Sequence, residues 1–238
     1  MFQKKIVLLL LCYLNYLMEL NFELNKSKGG LIVTGGKDTE SKIVIPSEQE
    51  YDGRKYPVTE IGECAMDGYM TLKNVIIPDS VSEIGALAFY RSGLVEIELP
   101  ESIEKIGEGA LVCPNLKKII SHGFNYYSND DNSLLFHKIA RPNLFTNPVI
   151  YNIKHSIAAV ANASVQSVVT IPSFITKIEK FAFAECDKIT EIVFHDKVSE
   201  VEESAFYGCC NLKRIIIKDA SLLENAEIPK GVEIVTME

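Results

Sequence analysis

The sequence predicts a β-rich solenoid, an elongated body made by stacking one short supersecondary unit on the next. Three observations predict it. First, one phrase recurs five times: Val58-Thr-Glu-Ile61-Gly62-x-x-Ala65-Met66, Val81-Ser-Glu-Ile84-Gly85-x-x-Ala88-Phe89, Ile103-Glu-Lys-Ile106-Gly107-x-x-Ala110-Leu111, Ile175-Thr-Lys-Ile178-x-x-x-Ala182-Phe183 and Val198-Ser-Glu-Val201-x-x-x-Ala205-Phe206. The starts step by 23, 22, 72 and 23 residues, and a fixed period in this range is the mark of stacked repeats. Second, the apolar positions after each phrase line up as columns: Leu72, Leu94, Leu116, Ile189 and Leu212, then Val75, Ile97, Ile119, Ile192 and Ile215. A third column holds Ile77, Leu99, Phe194 and Ile217, with only Ser121 breaking it. Third, Pro78 and Pro100 close the first two units and Pro172 leads into the fourth. Proline lacks the amide hydrogen a strand ladder needs, so it ends a strand.

Each unit therefore reads as a short strand (Val-x-x-Ile), a tight turn around Gly-x-x-Ala-Phe, and a second strand (x-Ile-x-Ile). An alanine in every copy marks a place where one coil passes too close to its neighbour for a larger side chain. A single unit buries too few side chains to offset the entropy of ordering its own backbone, so stability has to come from stacking.

Taken in order, residues 1–18 open with Lys4-Lys5 and the apolar run Ile6–Leu14, the basic and apolar regions of a signal peptide. The run is too short to span a bilayer, and no small-x-small cleavage site follows it. The alternative is a buried amino-terminal strand or helix, since Met18, Leu20, Phe22 and Leu24 alternate like a strand. Residues 19–57 carry two strand-like runs, Leu31–Thr34 and Lys42–Ile45, divided by Gly35-Gly36, and read as a β-cap. Repeats 1–3 occupy 58–121. Across 122–170 the period disappears; strand-like pieces remain at Ser133–Phe136, Val149–Tyr151 and Val168–Pro172, and the segment reads as a non-repeat insertion on the solenoid. Repeats 4–5 fill 171–220. Residues 221–238 start a further unit at Ile228-Pro229-x-x-Val232-x-Ile234 and form a carboxy-terminal cap.

The run Ile77-Pro78-x-x-Val81-x-x-Ile84-Gly85-x-x-Ala88-Phe89, followed by Ser92-Gly93-Leu94-x-x-Ile97-x-Leu99-Pro100, resembles the leucine-rich repeats of the BspA-like surface proteins. Ala182-Phe183-x-x-Cys186-x-x-Ile189 and Ala205-Phe206-x-x-Cys209-x-x-Leu212 resemble the full-length turn of that family, and Tyr51-Asp-Gly53-Arg-Lys-Tyr56-x-Val58 its lead-in. Glu179 and Glu202 depart from the pattern by replacing the glycine, and Lys218 by replacing the proline. The resemblance implies a secreted or surface-attached, non-enzymatic repeat protein of the kind linked to adhesion, whose partner is a protein, matrix or cell-surface ligand. Fold alone does not fix that function. An intracellular scaffold or self-associating repeat protein, cytoplasmic and with Ile6–Leu14 as buried structure, is the alternative.

Composition narrows the field. The 238 residues are 47% hydrophobic with a net charge of −8, which suits a packed chain and, with no dense basic cluster, gives no basis for nucleic-acid binding. Beyond the amino terminus no long apolar segment offers a membrane span. His122, His137, His155 and His195 have no metal-ligand spacing and adjoin no nucleophile motif; His195 stands where the strand-ending proline belongs and reads as a surface turn. Gly29-Gly30 and Gly35-Gly36 lack the Lys-Ser/Thr of a phosphate loop. No catalytic, cofactor or metal site is expected.

Three features remain candidates. Cys186 and Cys209 fall on the same repeat position one unit apart. Neighbouring strands lie ~4.7–4.9 Å apart and disulfide Cα separations run ~4.4–6.8 Å, so a bridge is sterically allowed; a column of small buried thiols is the simpler reading. Asn25-Lys-Ser27 and Asn162-Ala-Ser164 match the N-glycosylation pattern, which matters only on a eukaryotic secretory route. Finally, the second strand of each unit presents two outward rows. Asn74, Glu96, Lys118, Glu191 and Arg214 form one, with Glu96–Lys118 and Glu191–Arg214 opposite in sign across neighbours. Ile76, Glu98, Ile120, Val193 and Ile216 form the other. Four apolar residues facing out are a partner-binding face, or they are covered by the insertion, or they stand there simply as strand formers.

Overall fold

The computed structural model describes residues 20–143 and 150–237. The expected leader at 1–18, with Met18, and Val149 of the expected strand lie outside them. Nineteen strands follow one another: β1 (Leu20–Asn25), β2 (Gly30–Gly36), β3 (Lys42–Val44), β4 (Glu48–Tyr51), β5 (Arg54–Ile61), β6 (Asn74–Ile76), β7 (Glu83–Ile84), β8 (Glu96–Leu99), β9 (Lys105–Ile106) and β10 (Lys118–Ser121) make the first half. The second half contains β11 (Tyr126–Ser128), β12 (Leu134–Asn143), β13 (Ile150–Val160), β14 (Val168–Thr170), β15 (Lys177–Ile178), β16 (Glu191–Val193), β17 (Glu200–Val201), β18 (Arg214–Ile217) and β19 (Glu233–Thr236). The only helical piece among the described residues is a 3-10 turn at Ala220–Leu223.

Each repeat gives one strand to each of two faces. The two-residue strands of the repeats join β1, β2, β5, β11, β12 and β13 in the short-strand sheets β1-β2-β5-β7-β9 and β11-β12-β13-β15-β17, and the three- and four-residue strands build the long-strand sheets β3-β6-β8-β10 and β14-β16-β18-β19. Within the repeats pairing is parallel and in register, Ile61 beside Ile84 beside Ile106, and Val75 beside Ile97 beside Ile119. The structure is the expected solenoid. Its register follows from side-chain alternation, because a one-residue slip would turn every column isoleucine to solvent.

The turn edge repeats as faithfully as the strands. Met66 N donates to Ala88 O at 2.7 Å, Phe89 N to Ala110 O at 3.0 Å, and Phe183 N to Ala205 O at 2.9 Å. The recurring alanines are buried where coil meets coil. Two positions in each turn, and one in that of repeat 3, adopt left-handed backbone. One is Cys64, Leu87, Gly109, Phe181 and Ser204; the other is Gly68, Arg91, Glu185 and Gly208. The left-handed region costs a non-glycine residue roughly 1–2 kcal/mol, so the inter-coil ladder imposes a conformation that Leu87 or Phe181 would not choose alone.

Where 122–170 was expected to be a non-repeat insertion, the solenoid resumes earlier. Ser156 and Ile157, at the end of β13, pair in parallel with Lys177 and Ile178, and Val168–Thr170 pair with Glu191–Val193. Ile157-x-x-x-Ala161 is the repeat phrase again, with Asn162 where the aromatic belongs. The outgrowth is thus the β12–β13 hairpin alone, and its base is a septum in the body. Leu135, Ala159 and Ala161 pack into the first core while Leu134, Phe136, Ile157 and Val160 pack into the second. Ser121 ends the third column because its hydroxyl, buried, donates to Tyr126 O at 2.8 Å. Tyr126 in turn accepts from Ile106 N at 3.2 Å, replacing the strand that would otherwise follow β9. At the far end β19 adds a parallel strand to β18.

Candidate functional site

The outward rows stand as the alternation predicts. Along β6, β8, β10, β16 and β18, inward Val75, Ile97, Ile119, Ile192 and Ile215 are buried. Ile76, at 44% exposure, and Glu98 face solvent, whereas Ile120, Val193 and Ile216 are half-buried among their neighbours. Parallel pairing sets Ile120 beside Glu98, and Val193 between Thr170 and Ile216. Val44 and Val235 extend the row at the two ends, next to Ile76 and Ile216. The hairpin extends the short-strand sheet and meets β10 along its edge, where Ile119 N donates to Asn132 O at 2.9 Å.

The charged row beside it is paired as expected. Lys118 Nζ lies 3.8 Å from Glu96, and Arg214 sits between Glu191 and Glu233, 3.1 Å from each. The hydrogen bond to Glu233 raises the Arg214 pKa further. Pairing uses these charges locally.

Among the depressions elsewhere, two adjoin the hairpin. One, of ≈ 60 Å³, is floored by Ala158–Val160 and walled by the turns at 107–112 and 179–182. Its lining charges are partnered, Lys180 with Glu108 at 3.1 Å, Glu179 with His137 at 2.7 Å and Glu202 with Lys177, and Arg91 pairs with Glu185 at 2.5 Å. Tyr90 also donates to Glu185 at 2.9 Å, and burial together with that carboxylate pushes its hydroxyl up to about 12. The second, of ≈ 270 Å³, lies between Ile139, Lys154 and His155 of the hairpin and Thr176 and Ser199 of the repeats. Its hydroxyls are committed as donors to the carbonyls of His155 and Thr176.

The fold joins groups that lie far apart in sequence. His137 Nδ1 is 2.7 Å from Glu179 Oε1, and Ser156 Oγ donates to the same oxygen. The carboxylate sits between serine and histidine, and Ser156 is fully buried, so no nucleophile–base contact exists. Glu179 occupies the glycine position of the repeat; only the hairpin's return brings its partners there. His195 lies in a surface turn, with Nε2 2.9 Å from Pro172 O. No group of three His, Cys, Asp or Glu residues among those described could hold a metal.

Asn162 is not a glycosylation site in the folded chain. It is 5% exposed, donates to Ala184 O at 3.0 Å and Glu185 O at 3.3 Å, and accepts from the Cys186 thiol at 3.3 Å. The pattern fell there because the hidden repeat places Asn162 at the aromatic core position. Asn25, by contrast, starts the β1–β2 turn, where its side-chain oxygen accepts from Ser27 Oγ at 2.7 Å and its amide donates to Glu60 at 3.2 Å. The buried cysteines are free thiols. They act as bolts to neighbouring coils, Cys113 donating to Phe89 O at 3.0 Å and Cys209 to Phe183 O at 2.9 Å.

Parallel coils with one leucine-rich column, an alanine–aromatic turn and a buried small polar bolt define a leucine-rich-repeat β-solenoid. The chain belongs to the BspA type leucine rich repeat region family: six copies of the repeat match residues 54–138 and 156–233. The second match begins where β13 enters the solenoid. A leucine rich cell surface protein from Faecalibacterium prausnitzii A2-165 is similar at 16% identity and a TM-score of 0.47, over 90% of this chain and 92% of its own. A leucine rich repeat protein from T. pallidum is similar at 21% identity and 0.44, over 92% and 79%. The pneumococcal vaccine antigen PcpA is similar at 12% and 0.40, over 92% and 76%. No curated protein matches the chain. No helix among the described residues is long and apolar enough to cross a membrane.

Proposed function

We propose that this chain is a non-enzymatic binding module of the cell surface or extracellular space, taking a protein or matrix partner on its long-strand face. The observation that carries the reading is the outward row Ile76, Ile120, Val193 and Ile216. A solenoid needs only strand formers there, and threonine or lysine would serve. Apolar positions ringed by paired charges instead match the apolar centre and polar rim of a protein interface, and the parallel ladder holds them rigid.

The test replaces Val193 and Ile216 with lysine. Both are half-buried, so the expected stability loss is small, about 1 kcal/mol or less, while attachment to cells or matrix drops. Unchanged attachment at unchanged stability would move the site away from this row. Export is a separate arm: deleting residues 1–18 should retain the protein in the cytosol. Mass spectrometry that finds Met1 or Phe2 intact on the native protein would favour the intracellular scaffold.

A further inference from the structure

We propose that Cys186 and Cys209 are a redox-active pair, a buried dithiol that a small-molecule disulfide oxidises to a covalent link between two successive coils. The two residues hold the same position in neighbouring repeats. Their coils are locked in register by Phe183 N to Ala205 O at 2.9 Å and Glu185 N to Tyr207 O at 2.7 Å. Three residues before the cysteines, the rings of Phe183 and Phe206 lie tilted by 30° with centroids 5.6 Å apart.

The column itself supplies a ruler. In the first half Ser92 and Cys113 stand on successive coils in the same buried column, with Oγ and Sγ 3.4 Å apart. Stacking thus brings side-chain atoms of adjacent coils into contact, and in-register strands have the Cα spacing a disulfide requires. Phe183 O receives both Cys209 Sγ at 2.9 Å and Cys186 N at 3.3 Å, which seats the two cysteines against one carbonyl. On oxidation Phe183 O keeps the Cys186 amide and Asn162 keeps its two amide bonds to Ala184 O and Glu185 O. Two weak thiol donors are lost, Cys209 to Phe183 O and Cys186 to the Asn162 oxygen.

The order of attack follows from the environment. Hydrogen bonding to Cys186 lowers the Cys209 pKa, whereas burial, reinforced by Cys209, raises that of Cys186. The Cys209 thiolate attacks one sulfur of the small disulfide and expels the other as thiol. Cys186 then gives up its proton and attacks the Cys209 sulfur, expelling the second thiol. Two protein thiols are oxidised and one disulfide is reduced to two thiols. Both cysteines are fully buried, so the rate is set by opening of the carboxy-terminal coils. An oxidising compartment would hold the link and a reducing one would release it.

The experiment incubates the folded Cys210→Ser chain with excess oxidised glutathione, then digests it without reduction. Expected is a peptide joining Cys186 to Cys209, lighter by two hydrogens than the unlinked pair, and a melting temperature raised by about 5–10 °C for a loop of this length. Reduction should reverse both. Cys209→Ser should lose both effects. Ser92→Cys should gain a second link, to Cys113, if the column geometry is the cause. The proposal is overturned if Cys186 and Cys209 stay unlinked or carry only glutathione while Cys64 is modified. It is equally overturned if the link forms but the melting temperature does not rise.

Discussion

Gly107→Ala isolates the contact that sets the spacing between coils. A Cβ built on Gly107 would stand 2.3 Å from Ala86 N and 2.6 Å from both Ala86 Cα and Gly85 C. These are backbone atoms of the preceding turn, with no flexible end to swing away. Restoring ordinary contact near 3.4 Å requires the coils to part by close to an ångström, while Gly107 N holds Ile84 O at 2.7 Å. Overpacking of this kind costs roughly 1–3 kcal/mol, and the top of that range applies because the obstacle is main chain. At roughly 2–4 °C per kcal/mol for a chain of this size, the melting temperature should fall by about 6–12 °C. The sign makes the test sharp. Gly107 has no positive φ, so if the turn can relax, alanine should stabilise by about 0.4–1 kcal/mol through the unfolded chain. Urea denaturation decides, and an unchanged or raised midpoint refutes the reasoning. The second half gives the counterpart: Glu179 and Glu202 replace the glycine there, and their amides reach Ile157 O and Ile178 O at 3.0 Å, a looser stack.

Asn162→Ala should lower stability by about 1–3 kcal/mol, since it strips partners from the buried carbonyl of Ala184; expression in a glycosylating host should leave Asn162 unmodified by mass spectrometry. Burial, and secondarily Lys138, lowers the His155 pKa below its usual 6.5. Its Nδ1 lies 2.8 Å from Tyr127 OH, and Phe174 stacks on its edge. The unfolded chain then takes up the proton first, so stability should decline as pH falls below about 6.5 towards the folded value. His155→Gln should flatten that part of the profile, and an identical slope in both proteins would remove His155 as its source.

The sequence by itself determined the coil: its period, its columns of leucine and isoleucine, the parity of the outward rows and the pairing of Glu96 with Lys118 and Glu191 with Arg214. Each of these depends on a neighbour one repeat away, and five copies repeat the same information. Tertiary structure alone decided what happens between repeats 3 and 4. The phrase Ile157-x-x-x-Ala161 was visible in the letters, and so was the Val169-x-Ile171-Pro172 strand after it, but without the glycine and the aromatic the match is too short to stand out. Only the pairing of β13 with β15 gives it meaning. That pairing turns a sequon into a core residue, makes the hairpin base a wall between two cores, and sets His137 against Glu179 across 42 positions. The left-handed turns escaped notice for a related reason, since Leu87, Phe181 and Glu185 carry no local preference for them. The ladder between coils imposes that geometry, and a ladder exists only once the coils have stacked.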